Sequence, residues 1–206
     1  MHYDLIISGV GGQGIITIAN LIGLAALEEG FDAKQSEVHG MSQRGGSVET
    51  HVRIANYPIA SNVIPLGNAD LILSMEPMES LRYLPWLKPT GWLITHDQPF
   101  INIENYPDYN VLIKEIARVP GHLLFNAEEI ARKAGSLKVT NMVLLGAASP
   151  HLPIRKTTLL NSIKYFFRKK EDKLIDANIK AFESGLAFAE KMPDPHLLQT
   201  RIYYGQ

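Results

Sequence analysis

Six residues, Gly9-Val10-Gly11-Gly12-Gln13-Gly14, separate an apolar run, Leu5-Ile6-Ile7, from an apolar stretch running from Ile15 to Leu27. The first run reads as a buried strand over Tyr3 to Ser8, and the second as a helix over Gly14 to Glu29, apolar almost all round, that Gly30 ends at the C′ position. A strand feeding a helix through glycines is how a doubly wound α/β sheet opens. Such a turn lets the backbone approach a ligand closely and leaves the first N–H groups of the helix facing outward, where an anion is stabilised. The G-x-G-x-x-G spacing has two readings: a phosphate or cofactor held on the backbone, or a tight turn that needs glycine only for helix–sheet packing.

Further along, the pattern predicts strands at Asp32 to Glu37, Ser47 to Ile54, Ala69 to Met75 and Gly91 to Thr95, with a helix opening at Pro77 and running to about Leu84. Phe100 to Asn110, rich in Asn, Tyr and Pro, reads as a surface loop, and Val111 to Ile113 or His122 to Phe125 as further strands. Asn126 with Glu129 three residues on marks a helix start, and Gly135 its end. From Val139 the chain reads as helical, with apolar periodicity over Thr157 to Lys169 and Glu171 to Lys191, and Arg168-Lys169-Lys170 as a solvated helix end. The expected class is α/β: a single doubly wound Rossmann-like domain over residues 1–192 with a mostly parallel sheet and a helical C-terminal part from about 139, followed by a tail, 193–206.

A second concentration of unusual residues is Glu37-Val38-His39-Gly40-Met41-Ser42-Gln43-Arg44-Gly45-Gly46. It leaves the sheet at the carboxyl end of the second strand, where doubly wound folds bind ligands. Arg44, beside two glycines, has the donor fork to grip a phosphate or carboxylate, or else closes a turn by pairing with Glu37 or Glu49. Glu37 stands where dehydrogenases bind the ribose of NAD, but no later histidine sits in a recognisable catalytic motif. His39 suits acid–base work by its ordinary pKa and equally a structural hydrogen bond.

Composition narrows the chemistry. The 206 residues contain no cysteine, which excludes disulfides, a thiol nucleophile and thiolate-ligated clusters within this chain. The seven histidines show no metal-binding spacing, no Walker phosphate loop is present, and a net charge of −1 argues against nucleic acid as a partner. No apolar run has transmembrane length and the first residues lack a basic signal start, so a cytoplasmic protein without membrane contact is expected.

Three segments together, Gly9 to Gly14, Ser36 to Val48 and Asn141 to Ala147, resemble the gamma-type domain of the 2-oxoacid:ferredoxin oxidoreductases, and within it the small beta subunits of the indolepyruvate enzymes. The likeness runs from about Tyr3 to Met192. It implies a larger alpha subunit carrying thiamine diphosphate, Mg and the iron–sulfur clusters. It implies decarboxylation of an aryl 2-oxoacid to an aryl-acetyl-CoA, with electrons passing to ferredoxin. This chain, lacking the G-D-G…Asn signature of thiamine enzymes, would carry no redox centre and no catalytic residue of its own. Gly9, Gly11, Gly12, Gln13 and Gly14, with Ser42, Gln43, Arg44, Gly45 and Gly46, would face the thiamine-bearing subunit and contact coenzyme A or the partner chain. Asn141 to Ala147, apolar with a Gly-Ala patch, suits close helix packing in the core or at a subunit interface. A stand-alone nucleotide- or coenzyme A-binding module and an independent NAD(P)-dependent dehydrogenase are the alternatives.

Overall fold

The computed structural model describes residues 1–39 and 45–192. Its strands are β1 (His2–Val10), β2 (Asp32–His39), β3 (Ser47–Ala55), β4 (Ala69–Ser74), β5 (Leu87–His96) and β6 (Gly121–Phe125). Its helices are α1 (Ile15–Glu28), α2 (Pro77–Arg82), α3 (Tyr109–Ala117), α4 (Ala127–Ala134), α5 (Thr140–Ala148), α6 (Lys156–Phe167) and α7 (Asp172–Ala189). The strands form one sheet in the order β2-β3-β1-β4-β5-β6. β1, β4, β5 and β6 are parallel, whereas β3 lies antiparallel between β1 and β2. The expected α/β class and mostly parallel sheet hold, with this one departure. β2 and β3 pair as an antiparallel hairpin stem, so after the second Gly-rich segment the chain runs back beside β1 at the centre of the sheet instead of crossing over through a helix.

Burial explains the apolar runs. Leu5 and Ile7 point to one face, packed under α1, α5 and α7, while Ile6, Ile72 and Leu93 point to the other against Ile64, Tyr83 and Ile116. A strand covered on both sides must be apolar at every position, as β1 is at its centre. Each such Leu or Ile contributes about 1.5–3 kcal/mol of burial. α1 ends as its sequence indicated: Gly30, at φ 79°, donates to Leu27 O and Phe31 N to Ala26 O.

Two local expectations change. Val111 to Ile113 is helical, within α3, because Asp108 caps that helix by accepting from Asn110 N at 2.8 Å, and Leu112 and Ile116 share its buried face. α2 stops at Arg82, and a short 3-10 turn at Leu84–Trp86, containing Pro85, leads into β5, which starts four residues before Gly91. The third segment of interest proves to be core. Met142 to Ala148 are buried in α5, and α5 crosses α7 so closely that a Cβ on Gly146 would lie 2.0 Å from Phe182 O and one on Gly185 1.9 Å from Val143 O. Among the described residues no helix is long and apolar enough to cross a membrane.

Candidate functional site

The two Gly-rich turns meet at the carboxyl edge of the sheet. β1 and β3 pair over their whole length, from His2 opposite Ala55 to Val10 opposite Ser47, and beyond that ladder Gly11 N donates to Gly46 O at 2.8 Å and Gly45 N to Gly11 O at 3.5 Å. Gln13 holds the first turn shut. Its Oε1 accepts from Val10 N at 2.7 Å and its Nε2 donates to Met75 O at 3.4 Å, so the side chain lies over Gly9, where a Cβ would come within 2.6 Å of Gln13 Oε1. Gly14 begins α1 in the left-handed region at φ 87°, and a Cβ there would meet Asn141 Nδ2 at 2.4 Å. That amide reaches Gly14 O at 3.5 Å. The first residue of the third segment is thus attached to the glycine turn, and the three segments the sequence singled out converge.

Beside the turn is a cavity of about 430 Å³ lined by Gly11, Gly12, Gly14, Ile15, Ile16, Thr17, Glu37 and Val48. Gly14 brings no side chain to cap α1, and the first turn of that helix contains no acidic residue. Its N–H groups therefore present a partial positive charge on one wall. Glu37 and Val48 supply a carboxylate and an apolar surface on another. Such a cavity suits a ligand with an anionic group toward the helix start and a hydroxyl or N–H toward Glu37. Ser42, Gln43 and Arg44 lie outside the described residues, as does the tail, 193–206.

The hairpin stem is also gripped from the other face of the sheet, by residues the sequence reading did not mark. Glu79, 1% exposed, accepts from Ser47 Oγ at 2.6 Å and from Arg82 Nε at 3.0 Å. Glu76, wholly buried, caps α2 by accepting from Glu79 N at 2.8 Å and also takes hydrogen bonds from Phe100 N at 3.3 Å and from the Tyr106 hydroxyl. Burial pushes the Glu76 carboxyl above the ordinary carboxylate range, against the hydrogen bonds it accepts. The available signal was a Glu-Pro pair at the start of a short helix, but nothing local says that the carboxylate is buried. His96, at the end of β5, accepts from Ala127 N through Nδ1 at 3.2 Å, which ties α4 to the same edge. No three His, Asp or Glu side chains among the described residues converge as metal donors.

The family described as pyruvate ferredoxin/flavodoxin oxidoreductase matches residues 4–188. Indolepyruvate oxidoreductase subunit IorB of Thermococcus kodakarensis is 40% identical over 201 residues, covering 93% of this chain and 98% of that one. Its counterpart in Pyrococcus horikoshii is 39% identical with the same coverage. The 2-oxoglutarate synthase subunit KorC of Methanothermobacter marburgensis is 30% identical, covering 90% of this chain and 95% of that one. The gamma subunit of a keto/oxoacid ferredoxin oxidoreductase from Geobacter sulfurreducens superposes with a TM-score of 0.66 at 25% identity, over 92% of this chain and 99% of that one. A 2-oxoglutarate:ferredoxin oxidoreductase from Magnetococcus marinus, with 2-oxoglutarate, coenzyme A and succinyl-CoA bound, shares the fold at a TM-score of 0.74 and 22% identity, over 94% of this chain and 32% of that one. A match across nearly the whole fold, and relatives that align end to end, make this chain a member of the pyruvate ferredoxin/flavodoxin oxidoreductase family and a subunit of a heteromeric oxidoreductase.

Proposed function

We propose that the chain is the small subunit of an indolepyruvate oxidoreductase of the cytoplasm. Together with a larger subunit it converts an aryl 2-oxoacid and coenzyme A to the aryl-acetyl-CoA, carbon dioxide and a proton, with two electrons leaving to ferredoxin. The observation that carries this reading is the 40% identity, over 98% of its length, to a subunit named for indolepyruvate. Thiamine diphosphate, Mg and the iron–sulfur clusters supply the decarboxylation and electron-transfer chemistry, and they are assigned to the larger subunit. The residues here do not suit a cluster, since the sequence has no cysteine to ligate one.

What this chain contributes is an edge. The zipped turns around Gly11 and Gly46 set a rigid rim, and the uncapped start of α1 offers N–H groups to an anion. In this proposal Gly9, Gly11, Gly12, Gln13 and Gly14, with Ser42, Gln43, Arg44, Gly45 and Gly46, face the larger subunit, and Arg44 with the turn's N–H groups contacts a phosphate of coenzyme A. Anaerobic co-purification with the larger chain, followed by assay of coenzyme A-dependent indolepyruvate oxidation with a viologen dye, tests the subunit reading. A homomeric, colourless eluate would favour a stand-alone binding module. Arg44→Ala should raise the KM for coenzyme A, and an unchanged KM in a normally assembled complex would remove the ligand contact.

A further inference from the structure

Between β5 and α3, residues 97–108 carry three large apolar side chains in the open: Phe100 is 45% exposed, Ile101 71% and Ile103 46%. Scattered singly, exposed apolar residues need no explanation, but three within four positions of one loop form a patch. The loop is also tied down along its length. Asp97 N donates to Phe125 O at 3.1 Å, Phe100 N to Glu76 Oε1 at 3.3 Å, and Asn102 Nδ2 to Gly45 O at 2.6 Å. The Tyr106 hydroxyl donates to Glu76, and Asp108 turns the chain into α3. A connector needs no buried carboxylate to hold it. One that must present side chains in a fixed array does, because ordering the loop beforehand removes that entropy cost from binding.

Charge tells what the loop fits. From Pro89 to Ile113 there is no Lys or Arg, while Asp97, Glu104 and Asp108 are acidic. The complement is an apolar hollow rimmed by basic side chains. A second copy of this chain is disfavoured, since a two-fold contact through the patch would bring carboxylates against carboxylates. The Asn102 bond to Gly45 also makes the loop continuous with the hairpin stem that forms one side of the glycine edge. We propose that residues 97–108 are a preset finger by which this chain docks into an apolar, Lys- or Arg-rimmed hollow of the larger subunit. The inference rests on the subunit reading above and adds where the contact is made.

The test measures assembly of the full chain with its co-expressed larger subunit, by equilibrium binding and sedimentation, for the unaltered chain, Ile101→Asp, Glu104→Lys and the control Leu66→Asp. Leu66 is 62% exposed and lies between β3 and β4, away from the finger in sequence, and its backbone carbonyl, which accepts from Asn68 Nδ2 at 2.9 Å, is kept in the variant. Ile101→Asp should raise the Kd by roughly tenfold or more, as loss of a central anchor does. Glu104→Lys should slow association and weaken its dependence on salt. Leu66→Asp should bind as the unaltered chain does. The thermal midpoint of isolated Ile101→Asp should be unchanged, since an exposed side chain is replaced, which separates lost docking from lost folding. Unaltered binding by Ile101→Asp would overturn the finger while leaving the subunit reading intact. Self-association abolished by Ile101→Asp would assign the patch to a second copy and overturn it equally. Failure of the unaltered chains to associate at all would end the subunit reading, and the finger with it.

Discussion

Replacing Gly146 by alanine sets two effects of opposite sign against each other. Alanine is the better helix former by about 1 kcal/mol, so a glycine on an open helix face would stabilise the protein on substitution. Here the new Cβ would stand 2.0 Å from Phe182 O, whereas real Cβ atoms essentially never come closer than 3.0 Å. α5 and α7 must therefore part locally by about 1 Å, and because the obstacle is backbone, no rotamer change relieves it. Overpacking typically costs 1–3 kcal/mol and occasionally more, which puts this contact at about 3–4 kcal/mol and the net loss at about 2–3 kcal/mol. In a domain of this size each kcal/mol lowers Tm by about 2–4 °C, so a fall of roughly 5–10 °C is expected, with a lower urea midpoint at an unchanged slope. Gly185→Ala attacks the same gap from the other helix, 1.9 Å from Val143 O, so the double variant should lose less than the sum of the two. A Tm above that of the unaltered chain for Gly146→Ala would refute the close crossing.

Gln13→Ala should cost about 1–2 kcal/mol in urea unfolding, because it strips the acceptor from Val10 N and the donor from Met75 O. Asn126→Ala should cost about 1 kcal/mol by removing the cap that accepts from Glu129 N at 2.9 Å. His51 should make the fold sensitive to mild acid. Burial lowers its pKa from the ordinary 6.5, and its Nδ1 accepts from Ile64 N at 3.0 Å only while that nitrogen is unprotonated. Below about pH 6.5 the unfolded chain binds a proton that the fold disfavours, so the contribution is complete above that pH and is lost as the pH falls toward the lower folded value. The urea midpoint of His51→Gln should therefore vary less between pH 7 and 5 than that of the unaltered chain, and parallel curves would count against the assignment.

What the sequence made legible is what local physics decides. The β1 turn, the Gly30 and Gly135 stops and the Asn126 cap are each set by a residue and its immediate neighbours, and each is where its residues indicated. The antiparallel placement of β3 was not legible, because alternation from Ser47 to Ile54 marks a strand but says nothing of its direction or its partner. α3 was hidden for a related reason: with Val111, Leu112 and Ile113 adjacent, a short helix and a short strand look alike until Asp108 is seen to cap it. Glu76 and Glu79 were invisible as site-forming residues because acidic side chains at the cap and in the first turn of a short helix are ordinarily solvated, and only tertiary placement buries them.

The unbroken register between β1 and β3 acts as a ruler. Nine consecutive pairs fix how far the hairpin stem reaches past the first glycine turn, and a slip by one residue would turn Val52 and Ile54 from the core under α1 toward the opposite face. Length is therefore not negotiable within either strand. Among chains built on this plan, change in length is confined to the connections outside that ladder, while the sheet beneath stays the same.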